Sequence, residues 1–275
     1  MALALRFPEE GEFSSRACDF SALDAPNVVP STAIFRWSRA VRKLLGTHVH
    51  DAVEVKTLVI AMPGAAQQFV QQLTASWTVV GTLLTTDQVL QSCKLHNVPT
   101  LGVMLSKTGL NVSDKENCLV LLVDQEVPTT ATWEWLNKLR SHIDAQDIVC
   151  LDSQLSTIYT DKYVDEQVGT KLRMLATSTV TEEWKQQTPV RPLEVPQFVA
   201  GIPAALLTHG ELRKRRVCVF VSLRDVSATS FDVMQSFMPL IASSSSVLGM
   251  LERPTSFQPT EKFTHQNGAV GVLYS

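Results

Sequence analysis

The sequence has few charged residues and lacks the patterns of several common protein classes. Only 19% of its 275 residues are charged, and its formal net charge is −3, whereas nucleic-acid-binding domains are usually basic. No apolar run approaches the roughly 20 residues that span a bilayer. These absences argue against a nucleic-acid-binding protein and against a transmembrane protein.

The five cysteines provide neither a metal-binding nor a disulfide framework. Their number is odd, their spacing is wide, and no C-x-x-C pattern occurs. Cys118, Cys150 and Cys218 lie in or beside apolar runs, which predicts small core residues of a protein in a reducing compartment. The first eight residues are too short for a secretory signal and are followed by acidic residues, so we expect no export.

Local motifs for catalysis are weak. Met62-Pro63-Gly64 follows a strand and opens a helix, which suits a phosphate loop, but with one glycine a plain turn is the alternative. His48 and His50 could bind a metal; without a third ligand at a standard spacing, a solvated loop is the alternative. His209 has no G-x-S-x-G beside it. We therefore predict no metal and no cofactor.

Two segments are rich in arginine. Ser31 could cap a helix that runs to about Leu45, with Ile34, Trp37, Val41 and Leu44 on one stripe and the basic residues largely away from it. Such a helix could pack on its own domain, on a partner or on a membrane. The cluster Arg213–Arg216 could be an import signal, or it could stabilise the end of a helix through the helix dipole.

Apolar runs alternate with amphipathic segments along the chain. The predicted strands are residues 53–61, 79–84, 100–105, 118–123, 148–151, 172–176 and 217–221. The predicted helices are residues 31–45, 65–77, 130–143, 203–213 and 231–250, the last kinked at Pro239. Continuous apolar strands suit a sheet that is covered on both faces.

This alternation predicts an α/β protein with an open, mostly parallel or mixed sheet and helices on both faces. We expect a single domain, residues 31–251. A flexible N-terminal arm (1–30) and a C-terminal tail (252–275) flank it, because both carry prolines and lack periodicity.

The chain ends in Leu273, Tyr274 and Ser275. A hydrophobic residue, a tyrosine and any residue at the extreme C-terminus form the docking signal by which several proteins insert into the α-ring of the 20S proteasome. The apolar side chain and the ring can bury in a slot between subunits, and the terminal carboxylate can meet a lysine or backbone amides. We therefore predict that these three residues bind the α-ring.

The body of the sequence resembles proteasome assembly chaperone 1. The stretch Pro196-Gln-Phe-Val-Ala-Gly-Ile-Pro-Ala-Ala-Leu-Leu-Thr-His-Gly210 is similar to the family's φ-x-G/D-φ-P-A-A-φ-L segment. A basic turn (213–216), an apolar strand (217–221), Asp225 and the F-x-P-φ-φ core Phe237–Ile241 follow in the family's order. The resemblance covers about residues 50–275, and it is firmer after residue 195.

The resemblance implies a non-enzymatic chaperone that forms a heterodimer with proteasome assembly chaperone 2. The pair would bind the α-subunits of the 20S proteasome, promote α-ring assembly and prevent off-pathway ring dimerisation. It implies no cofactor and a location in the cytoplasm, with the nucleus as a second location. Two alternatives stay open from the residues: an α/β enzyme of nucleoside phosphorylase-like or hydrolase-like type, and a different proteasome-docking regulator that shares only the tail.

Overall fold

The structure is a computed structural model. It describes residues 32–46, 51–86, 102–107, 118–156, 171–181, 190–195, 197–224, 228–241, 248–249 and 251. The predicted arm (1–30), the tail (252–275) and the pair His48 and His50 lie outside the described residues. No helix in the described part of the chain is long and apolar enough to cross a bilayer.

The described residues include nine strands, which form one mixed sheet in the order β1-β3-β4-β5-β2-β6-β9-β7-β8. They are β1 (Thr32–Trp37), β2 (Val53–Ala61), β3 (Thr78–Thr86), β4 (Gly102–Ser106), β5 (Cys118–Val123), β6 (Ile143–Leu155), β7 (Lys171–Ala176), β8 (Arg191–Pro192) and β9 (Arg216–Arg224). The central strands β5, β2, β6 and β9 are parallel. β1, β3 and β4 extend the sheet from β5 by antiparallel pairing, and β7 pairs antiparallel with β9.

In the part of the chain that the structure describes, five helices cover the two faces of this sheet. They are α1 (Arg39–Leu45), α2 (Ala65–Leu73), α3 (Thr132–Arg140), α4 (Gly201–Arg213) and α5 (Ser230–Ser236). Buried residues of α1, α3 and α4 belong to the core cluster on the first face, and those of α2 and α5 belong to the cluster on the second face. The predicted fold class, a single α/β domain with a mixed sheet and helices on both faces, is confirmed.

The continuous apolar strands of the sequence are the ones buried on both faces. In β2, Leu58 and Ile60 join the first core cluster, whereas Val59 and Ala61 join the second. Successive side chains of a strand point to opposite faces, so a strand between two helical layers needs apolar residues at every position.

The predicted helix over residues 31–45 is wrong in its first half. Thr32–Trp37 form strand β1, which pairs along its length with β3, and Ser38 caps the short helix α1. Ala33, Phe35 and Trp37 are buried in alternation. The segment therefore satisfies a period of two as well as a helical stripe, and pairing with β3 selects the strand.

Three other predicted helices are shorter than expected, and α2 is the first of them because it ends at Leu73 and not at residue 77. The segment 130–143 holds a 3-10 turn and then α3, and Ile143 already belongs to β6. In the segment 231–250, α5 ends at Ser236 and a 3-10 turn spans Met238–Ile241. Pro239 lies in this turn because its ring and its missing N–H cannot continue an α-helix.

Candidate partner-binding surface

The predicted docking residues Leu273, Tyr274 and Ser275 lie outside the described residues. The last described residue before them is Leu251, which is buried in the core cluster of the second face. Its backbone N–H donates to the Leu248 carbonyl at 2.9 Å. The described chain therefore ends on the face that α2 and α5 cover, 24 residues before the last residue of the sequence.

An exposed apolar patch lies where β6 ends. Leu155, Val195 and Phe198, which we call the carboxyl-edge patch, are 48%, 94% and 69% exposed. The Gln197 side-chain amide donates to the Ser156 hydroxyl at 3.3 Å, which holds the loop of Val195 and Phe198 against the end of β6. Large apolar side chains that a fold leaves exposed to solvent in neighbouring segments are typical of a protein–protein contact.

The segment next to this patch is core and not surface. Ile202, Ala205 and Leu206 on α4 are buried in the first core cluster. A Cβ on Gly210 of the same helix would lie 2.3 Å from the Val217 Cγ2 atom, so α4 approaches β9 too closely for any larger residue. The alanines of the Ile202–Leu207 segment thus serve close packing of α4 on the sheet.

The turn Met62–Gly64 lies at the carboxyl end of β2, between the ends of β5 and β6. This is the point where the strand order reverses, and open sheets often bind ligands there. Gly64 has a φ of 99°, a backbone conformation that favours glycine. The geometry of the turn therefore accounts for this glycine, and no bound phosphate is needed to explain it. The predicted turn is therefore present.

Two carboxyl groups flank this turn. Asp124 accepts a hydrogen bond from the Gln67 side chain, and Asp152 accepts from the Ser153 backbone at 2.8 Å and from the Gln154 amide at 3.0 Å. Burial raises the pKa of each carboxyl group against the effect of these hydrogen bonds. No cluster of three metal-ligating side chains occurs among the described residues. Both carboxyl groups accept hydrogen bonds from neighbouring side chains or backbone.

The described cysteines do not supply a nucleophile. Cys118, Cys150 and Cys218 form no disulfide with one another, and the last two are buried, as the sequence predicts. Burial raises the pKa of Cys118 to about 12 and that of Cys150 well above its usual range. Both thiols therefore stay protonated and unreactive at neutral pH.

The basic cluster Arg213–Arg216 is built into the fold. The Arg215 guanidinium donates to Asp144 at 2.9 Å, and the Arg216 guanidinium donates to Asp147 at 2.9 Å. Both acids lie on β6, the strand beside β9. These two arginines thus link the start of β9 and the residue before it to the neighbouring strand, and only Arg213 lies in the last turn of α4, where the helix dipole favours a cation.

His209 is buried on α4, one turn before this cluster. Its Nε2 atom has no hydrogen-bond partner among the described groups. Burial lowers its pKa, and the charges of Arg140, Arg213 and Arg215 lower it further. His209 is therefore a neutral packed side chain.

A family model described as proteasome assembly chaperone 4 matches residues 32–275. The chain belongs to this family of proteasome assembly chaperones. The resemblance noted in the sequence is thus confirmed at the level of proteasome assembly chaperones, while the description names member 4 and not member 1. No curated protein matches the sequence significantly.

Distant likenesses exist among solved structures. Pyrococcus furiosus PbaB, an archaeal proteasome activator, is 13% identical, with 77% of this chain and 88% of that chain covered at a TM-score of 0.49. Pyrococcus furiosus PbaA, an archaeal homolog of proteasome-assembly chaperone, is 11% identical, with 78% and 89% covered at a TM-score of 0.47. Because these values are low, the assignment to the chaperone family rests on the family model.

Sequence reasoning missed the carboxyl-edge patch of this chaperone. Leu155 ends a strand that the sequence predicts to stop at Leu151. Val195 and Phe198 lie in a proline-rich stretch that it predicts as a loop. Two large apolar side chains in a segment without periodicity are the signal that could have found the patch, since a loop seldom buries them.

Proposed function

We propose that this protein is a chaperone of 20S proteasome assembly with the role that the resemblance assigns to proteasome assembly chaperone 1. It forms a heterodimer with proteasome assembly chaperone 2, binds the α-ring, promotes its assembly and prevents off-pathway dimerisation of rings. It acts without catalysis, in the cytoplasm and in the nucleus. The observation that carries the proposal is the family match, which runs from residue 32 to the C-terminal motif.

In this proposal the C-terminal motif is the anchor. Leu273 and Tyr274 bury in a slot between two α-subunits, and the Ser275 carboxylate pairs with a lysine or with backbone amides. The 24 residues after Leu251 supply the reach. A single desolvated aromatic anchor contributes about 2 kcal/mol or more, which is roughly thirtyfold in affinity.

The carboxyl-edge patch supports a second contact, with proteasome assembly chaperone 2. Val195 and Phe198 expose 94% and 69% of their surface, and covering such side chains is favourable by roughly 25 cal/mol per Å² of apolar area. A subunit seated there would remove the largest exposed apolar side chains of this edge from water.

Affinity purification of the full chain tests both contacts. The tag goes on the N-terminus, because the proposal needs a free C-terminal carboxylate. We expect chaperone 2 and proteasome α-subunits to co-purify. Tyr274→Ala should reduce the α-subunits roughly thirtyfold and leave chaperone 2 bound, whereas Val195→Asp with Phe198→Asp should release chaperone 2.

The matched control is Val270→Ala, which shortens an apolar side chain of the same tail outside the motif and should change nothing. Undiminished recovery of α-subunits with Tyr274→Ala would exclude the tail as the anchor. Recovery of the wild-type chain without any proteasome subunit would exclude the proposed role itself.

A further inference from the structure

A shallow, open pocket of about 210 Å³ lies between β1, α1 and the start of β3. Three arginines line it, Arg36, Arg39 and Arg42, together with Trp37 and Val79. All three arginines are exposed. The pocket therefore combines three guanidinium groups with an apolar wall.

Local structure brings these arginines together. Arg36 lies opposite Thr82 at the end of β1. The Ser38 backbone N–H donates to Val80 at 2.7 Å, and the Ser38 hydroxyl caps α1. Arg39 and Arg42 are then three residues apart in a helix, so they lie on the same side of α1, next to Arg36.

The fold does not use these charges. None of the three arginines forms an ion pair with another described residue, and no described acidic side chain lines the pocket. Arg39 begins α1, where the helix dipole opposes a positive charge. The helix dipole favours Arg42, which lies in the last turn of α1, but neither the dipole nor an ion pair with a described residue explains Arg36 and Arg39.

Guanidinium groups recognise carboxylates, because their fork of N–H donors matches the two carboxylate oxygens. Like charges at this spacing also repel one another, and an acidic ligand would remove that repulsion. A short peptide with several carboxylates thus fits the pocket.

The chain carries such a peptide directly before β1. Residues 1–31 contain five acidic and two basic side chains, so they hold the whole formal net charge of −3, and residues 32–275 are neutral in sum. Glu9, Glu10 and Glu12 are its densest group. The family model begins at residue 32, so this acidic segment is an addition to the part that the family shares.

The chain is long enough for this contact. From Thr32 to the pocket is about the length of β1, roughly 17 Å at 3.3 Å per residue. The 19 residues between Glu12 and Thr32 span at most ~65 Å when extended. Tethering also gives a local concentration in the millimolar range.

We propose that residues Glu9–Glu12 of this chain bind in the pocket of Arg36, Arg39 and Arg42. The contact is electrostatic, and it weakens with salt. It is independent of the proposed docking of the C-terminal tail.

Chymotrypsin cleavage of the full chain after Phe13 tests the proposal, since binding of the adjacent glutamates slows cleavage. We expect the triple change R36E, R39E and R42E to speed cleavage at least about fivefold, and E9R, E10R and E12R to do the same. Combining both sets should restore slow cleavage. Raising NaCl to ~1 M, where screening acts within about 3 Å, should speed cleavage of the wild type and of the combined variant, but not of the two variants in which only one side is reversed.

Lys43→Glu is the matched control, because it reverses a charge on α1 outside the pocket and should leave cleavage unchanged. The melting temperature checks folding, and the exposed, unpaired arginines should tolerate the change. Equal cleavage of the wild type and the arginine variant, both folded, would overturn the proposal. Arginine-dependent binding to phosphatidylserine vesicles without any change in cleavage would likewise overturn it, and would assign the pocket to a membrane.

Discussion

Two arginine-rich segments, residues 36–43 and 213–216, look alike in sequence and differ in their surroundings. Arg215 and Arg216 each face an acid on β6. Arg36, Arg39 and Arg42 have no ion-pair partner among the described residues and line an open pocket. Equal local charge thus serves the fold in one place and is left for a ligand in the other.

The largest expected change in stability comes from a substitution that displaces the segment 213–216. Gly210→Ala puts a Cβ 2.3 Å from Val217 Cγ2 and 3.1 Å from Thr177 Cγ2. Overpacking of this kind costs roughly 1–3 kcal/mol. We expect that loss in the free energy of unfolding by urea titration.

Thr208→Ala on the exposed side of α4 is the control for this change, because it adds no volume toward β9. A Gly210→Ala protein as stable as the wild type would contradict the close approach of α4 to β9.

The ion pairs themselves are the next test. Arg216→Ala removes the contact with Asp147, and since Arg216 is 45% exposed we expect a loss of about 1 kcal/mol at most. Arg36→Ala removes an arginine that has no ion-pair partner among the described residues, and it should leave the free energy of unfolding unchanged. If both changes cost the same, the distinction between the two segments fails.

A smaller effect should come from the end of α4. Lys214 has a φ of 55°, a left-handed conformation that glycine adopts without strain. We expect Lys214→Gly to increase the free energy of unfolding by about 0.5 kcal/mol. The melting temperature should rise slightly as a result. Its pair with Glu211 spans 3.7 Å at the surface and contributes little. A lower melting temperature would show that the left-handed residue is not strained.

The last test measures how stability depends on pH, through His209 beside the segment 213–216. The pKa of His209 is lowered in the fold from 6.5, so the unfolded chain binds the proton more readily. Stability should therefore fall as the pH drops below about 6.5. We expect His209→Leu to flatten this slope in urea titrations at pH 5 to 8, and Thr208→Ala to retain it. An unchanged slope in His209→Leu would mean that His209 does not titrate as its burial implies.

The central strands could be read from the sequence, and segment 32–37 could not. The runs 118–123 and 217–221 are apolar at every position, and only a strand between two layers of helices uses such a run in so short a segment. Segment 32–37 carries apolar residues at spacings that suit both a helix and a strand. Its partner β3 lies more than 40 residues away, so local sequence could not decide.

The two candidate binding surfaces differ in the same way, because one is predicted from the sequence and the other is not. The sequence predicts that Leu273, Tyr274 and Ser275 form a docking motif, because the pattern is defined by these three residues alone. It does not identify Leu155, Val195 and Phe198 as neighbours. The hydrogen bond between Gln197 and Ser156, which are 41 residues apart, joins the two segments that carry these residues.

The sequence by itself determined the α/β alternation, the strands that are buried on both faces and the family. These properties depend on residues that are close together along the chain. The tertiary structure decided the strand order, the end of β6 as an apolar patch and the roles of the arginines. Asp144 lies 71 residues before Arg215, and only the pairing of β6 with β9 brings such charges within reach, so no local pattern distinguishes a paired arginine from a free one.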